Sequence, residues 1–124
     1  MSHEIQVQHL GAPQIHAFDW GHLTWFADGA LGNSTEMTVG RCTLKPGRGN
    51  PRHFHPNCSE ILVVIQGRIR HTVSENKEVE LGEGDTVTIP PNVWHCAANI
   101  GEKEAVLFIA FSSAERKTVG ETSG

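Results

Sequence analysis

Glycine and proline interrupt this chain every ten residues or so, which leaves no room for a long helix. Of the 124 residues, 13 are glycine and 6 are proline. The stretches between them are short and rich in Val, Ile, Thr and Leu, a composition that reads as strands. Candidate strands cover 4–9, 22–27, 36–44, 60–65, 68–73, 78–81, 86–89, 94–99 and 105–111. Many short strands joined by glycine-rich turns predict an all-β antiparallel sandwich or barrel. At this length the strands belong to one domain with one core. We expect that domain to span 1–111 and the polar residues 112–124 to form a loose tail.

Several classes of function are excluded early. The net charge is −4, so the basic excess of a dedicated nucleic-acid binder is missing. The longest apolar run, 105–111, is far short of the roughly 20 residues that a spanning helix needs. The first residues show neither the basic region nor the apolar core of a signal peptide, and three cysteines without a CxxC pair do not make a disulfide framework. Together these features predict a cytoplasmic protein with no membrane partner.

The run 60–65 is largely apolar on both its alternating faces, and so is 105–111. A strand of a small barrel needs only one apolar face. The second face must be covered, either by another layer of the same sandwich or by a second copy in a homodimer.

Eight histidines are many for this length. His3, His9, His16 and His22 show no ligand spacing and read as surface residues. His53 and His55 differ: residues i and i+2 of a strand point to one face, so two imidazoles can converge on one metal. Pro56 and Asn57 supply a turn that can bring Glu60 back toward them, and His95 follows a second turn at Pro90, Pro91 and Asn92. Three imidazoles and one carboxylate suit a divalent transition metal such as Fe, Mn, Ni or Zn, with positions left for water or substrate.

The fuller spacing resembles the two motifs of the cupin family. Gly47, five residues, His53-Phe54-His55, four residues, Glu60, six residues and Gly67 match the first motif at every fixed position. Gly84, five residues, Pro90-Pro91-Asn92, two residues, His95, three residues and Asn99 match the second. One position departs, because Asn92 stands where that motif has glycine. Asparagine tolerates the left-handed backbone better than most residues do. The resemblance implies a small jelly-roll-like β-sandwich with one metal per chain, held by His53, His55, Glu60 and His95.

Other residues are open to two readings. His71 shares a strand face with Ile69 and Val73, so it is either a base beside the metal or a core histidine with a satisfied ring. Arg41, Arg68 and Arg70 are either solvated or a clamp for a substrate carboxylate. Phe54 and Trp94 should point away from the neighbouring ligands. Trp25 and Phe26 either wall a pocket or fill the barrel end. Asn99 should serve a turn, and Cys58 and Cys96 flank the ligands. The chain has no tyrosine, so the acid–base candidates besides the ligands are His71 and Glu36. The resemblance implies either dioxygenation, or isomerisation or elimination, of a small polar molecule such as a sugar, keto acid or phenolic acid. A non-catalytic ligand-binding or sensor module is the alternative.

Overall fold

The computed structural model describes residues 5–120. It consists of strands apart from a single 3-10 turn at Ala12–Gln14. The strands are β1 (Ile15–Phe18), β2 (Gly21–Ala27), β3 (Thr38–Leu44), β4 (His53–Phe54), β5 (Glu60–Gln66), β6 (Ile69–Val73), β7 (Lys77–Leu81), β8 (Thr86–Ile89), β9 (His95–Asn99), β10 (Ala105–Phe111) and β11 (Val119–Gly120). Two antiparallel sheets face each other, with orders β1-β2-β3-β10-β5-β8 and β11-β4-β9-β6-β7. This is the all-β sandwich expected. Among the described residues no helix is long and apolar enough to cross a membrane.

Period-two alternation builds the core. On β5 and β10, Leu62, Val64, Leu107 and Ile109 point inward and are buried. They meet Leu44, Ile69 and Leu81 in one cluster. Full burial of each such side chain stabilises the fold by about 1.5–3 kcal/mol. The opposite faces of the same strands are only half covered: Ile61 is 47% exposed, Ile65 56% and Phe108 39%. Both strands sit inside the six-stranded sheet, and among the described residues no further layer lies over their outer faces.

The turns confirm the spacing argument. Gly47, Gly67 and Gly84 all adopt positive φ, and so does Asn92 at 68°. The asparagine therefore takes the left-handed conformation that its place in the motif requires.

Three expectations need correction. Residues 5–9 form no strand and are exposed, while Glu4 lies outside the described residues. β1 was not anticipated, because its four residues are all exposed and show no apolar alternation. The residues after 111 are not a loose tail as far as they are described. They return as a strap: Thr38 Oγ1 donates to Ser113 O at 2.7 Å, Gly29 N donates to Ala114 O at 2.9 Å, and β11 pairs with β4.

Candidate metal centre

The five-stranded sheet brings the histidines together. Pro51 and Pro56 lack a backbone N–H and bracket β4, which limits it to two residues. Register then sets His53 directly opposite His95 on β9. Glu60 opens β5 in the facing sheet and points inward at 5% exposure. One ligand atom from each of His53, His55, Glu60 and His95 lies within 4.8 Å of all the others.

The imidazoles are turned by their backbones. Nδ1 of His53 lies 2.7 Å from Pro51 O, Nδ1 of His55 lies 2.9 Å from Lys117 O, and Nδ1 of His95 lies 3.0 Å from Val93 O. A carbonyl oxygen can only accept, so in the neutral ring the proton sits on Nδ1 and the Nε2 lone pair faces the centre. Glu60 Oε1 is 3.0 Å from His95 Nε2 and 3.3 Å from His55 Nε2. Three imidazole nitrogens and a carboxylate thus converge on one point, and that donor set fits one divalent transition metal.

The electrostatics agree. Burial, helped by the charge of His95, lowers the His53 pKa to about 4, which keeps the ring neutral and able to ligate at pH 7. Burial alone would raise the Glu60 carboxyl, but hydrogen bonds and charge from His55 and His95 outweigh it and hold the pKa at about 2. Glu60 is therefore a carboxylate throughout the physiological range.

The centre lies in a cavity of about 380 Å³. Its walls are largely apolar, with Trp20, Leu23, Trp25, Leu62, Leu107, Ile109 and Phe111 among them. His71 lines it too, on the predicted inward face, at 0% exposure. Its ring is stacked on His95 with centroids 5.7 Å apart, and neither ring nitrogen has a hydrogen-bond partner among the described residues. The reading of a satisfied core ring therefore fails. Burial, with the charge of His95 second, lowers its pKa to about 4.

Trp25 walls the cavity by lying across Gly40, its register partner on β3. A Cβ on Gly40 would come within 2.5 Å of Trp25 Cε3, so only glycine leaves the indole room. Phe26 points outward, beside Phe108 and beneath Arg41. Phe54 and Trp94 also point away, edge to face with each other at 4.7 Å. The three arginines considered as clamps lie outside the cavity: Arg41 sits over Phe26, Arg68 pairs with Glu80 at the surface, and Arg70 is exposed. Asn99 serves a turn, donating to Leu44 O and Lys103 O and accepting from Gly101 N. Neither Cys58 nor Cys96 belongs to the ligand group. Cys42 lines the cavity, but burial and the Glu60 charge push its thiol up to about 12, so it remains protonated.

Sequence reasoning missed Arg116 and Thr118. Both line the cavity, and both come from the strap. Asn57 staples that strap in place: its Nδ2 donates to Glu115 O at 2.9 Å and its Oδ1 accepts from Lys117 N at 3.0 Å. Nothing in the local pattern of 112–120 marks Arg116, because a basic residue in a polar segment looks alike whether it is solvated or folded back.

A sandwich of this topology holding three inward histidines and a glutamate is the architecture of a metal-binding cupin. Residues 40–111 match the family model described as the Cupin domain, and the chain belongs to that family. Two curated relatives set its neighbourhood. Germin-like protein 3-8 of Oryza sativa subsp. japonica is 35% identical over 85 residues, covering 65% of this chain and 38% of the relative. Oxalate oxidase 1 of Hordeum vulgare is 31% identical over 88 residues, covering 65% of this chain and 44% of the relative. The chain thus spans less than half the length of these relatives. A solved structure of oxalate oxidase superposes with a TM-score of 0.73 at 26% identity, covering 80% of this chain and 54% of that one.

Proposed function

We propose that this cupin is a metal-dependent enzyme that converts a small carboxylic acid at a divalent metal held by His53, His55, Glu60 and His95. The observation that carries the reading is the convergence of three imidazoles and a carboxylate on one point of a largely apolar cavity. When bound, the metal supplies an electrophilic centre with positions open to substrate. The chain's own residues shape the rest. The three backbone carbonyls hold the histidine rings in the ligating tautomer. The apolar walls exclude bulk water. His71, unpartnered and facing the cavity, is the residue to take up or return a proton from the substrate. The named activity of the oxalate oxidase relative favours oxidation. Dioxygenation and isomerisation, which the family motifs alone leave open, have no such support from these relatives.

The half-covered apolar face formed by Ile61, Ile65 and Phe108 supports pairing with a second copy. None of the three cysteines forms a disulfide, which favours a reducing compartment.

The test is metal content by plasma mass spectrometry on protein purified without chelator, beside a His53→Ala/His95→Ala control. About one metal per chain, lost in the control, supports the reading. Its identity then directs assays of oxygen uptake and carbon dioxide release over a panel of small mono- and dicarboxylic acids. Less than roughly a tenth of a metal per chain, unchanged by soaking, sinks it. Full metal content with ligand binding but no product from any acid tried leaves a binding module. His71→Gln should lower turnover and leave the metal in place.

A further inference from the structure

We propose that Arg116 is the specificity-determining residue of this cavity, and that it selects a carboxylate with an apolar body. The inference rests on the reading of the cavity as the substrate site. The strap carries the guanidinium over the ring of Trp25, with Cζ 4.4 Å from its centroid, and beside Phe111 at 5.2 Å. Among the described residues its one hydrogen bond is donated from Nη1 to Thr118 Oγ1. Among the described residues no carboxylate lies within ion-pair distance of it. A guanidinium carries five N–H donors in a rigid fork that matches a carboxylate, so four of them remain for a ligand.

Stacking on two aromatic faces holds the charge in place without consuming those donors. Burial lowers the Arg116 pKa, and the negative potential of Glu60 opposes it. An arginine in this balance still carries its charge at neutral pH.

The remaining walls define the rest of the ligand. Leu62, Leu107 and Ile109 offer no donor or acceptor. A further charge beyond the metal and Arg116 would be stranded against them, at the full cost of an unpaired buried ion. An aromatic or aliphatic body fits those walls, and a short diacid leaves them bare.

The experiment is calorimetric titration of benzoate and of benzamide, its neutral isostere, into zinc-loaded and metal-free protein. Wild type should prefer benzoate by about tenfold or more in both forms. Arg116→Gln should reduce benzoate affinity to that of benzamide with metal content unchanged, and Arg116→Lys should restore part of the preference. Thermal melts of both variants confirm folding. Equal binding of the two probes by wild type overturns the proposal, as does Arg116→Gln that retains the preference. Oxalate displacing benzoate at equal concentration overturns the apolar-body part. The metal-free arm keeps the question about Arg116 answerable even if the chain takes up no metal.

Discussion

The two sheets share one cavity but are built differently. The six-stranded sheet contains four strands of seven residues (β2, β3, β5 and β10) paired in long registers, and it contributes one ligand, Glu60. The five-stranded sheet includes two strands of only two residues, yet β4 and β9 carry His53 and His95, and His55 follows directly after β4. Long ladders with inward leucines and valines give one side of the sandwich its stability. The other side is held by prolines, turns and a returning strap, which aim side chains that a regular ladder would leave parallel. Scaffold and site are thus separable in this fold, and four changes probe how far.

The largest effect is expected at Leu107, at the centre of the long-stranded sheet. Leu107→Ala should cost about 2–5 kcal/mol, while the folded fraction keeps its metal stoichiometry. Loss of metal in parallel with stability would merge the two regions into one. Next is Asn57→Ala on the other side. It removes the staple under Lys117, whose carbonyl orients His55. Metal affinity should fall about tenfold, by the measure of other groups that orient a ligand, while stability drops by about 1 kcal/mol in a denaturant titration. A melting point that collapses while metal binding survives would reverse the assignment.

Acid sharpens the same contrast in metal-free protein. His53 and His71 are held at about 4, below the 6.5 of a free imidazole. Between those values the unfolded chain binds protons that the folded chain refuses, so stability should fall as pH drops from about 6.5 to 4. Glu60, held at about 2, acts in the same direction lower down: its contribution is complete above about 4.5 and is lost as pH approaches 2. Melts of His53→Ala and His71→Gln should show a shallower decline over the upper window. A flat profile in the unaltered chain would mean that the rings are not held neutral.

The smallest effect on stability belongs to the outer face of β5. Ile65→Lys should change it by less than about 0.5 kcal/mol. If two copies pair through that face, light scattering will show the variant as a monomer and the unaltered chain as a dimer.

Much of this was legible in the sequence because it is local. Strand alternation, positive-φ glycines and the His53–His55 pair all depend on residues a few positions apart. Even the departure at Asn92 followed from what asparagine tolerates. The approach of His95 to His53 across 40 residues came from the family spacing, since no local rule fixes it. The strap was invisible for a different reason. Its hold on the barrel runs through side-chain bonds of Asn57 and Thr38, the Gly29–Ala114 backbone bond and a two-residue ladder, and polar residues that make such bonds look the same as polar residues that meet water. Parity also left the arginines undecided, because it assigns a face but not which face is enclosed.

Gly40 extends the argument beyond the residues that touch the cavity. It lines no part of it, yet its missing side chain lets Trp25 lie back and gives Arg116 an aromatic surface to rest on. An alanine there would drive the indole, and the arginine above it, toward the metal. The breadth of molecules this barrel admits is therefore adjustable from a neighbouring strand, one methyl group at a time, without any change to the groups that perform the chemistry.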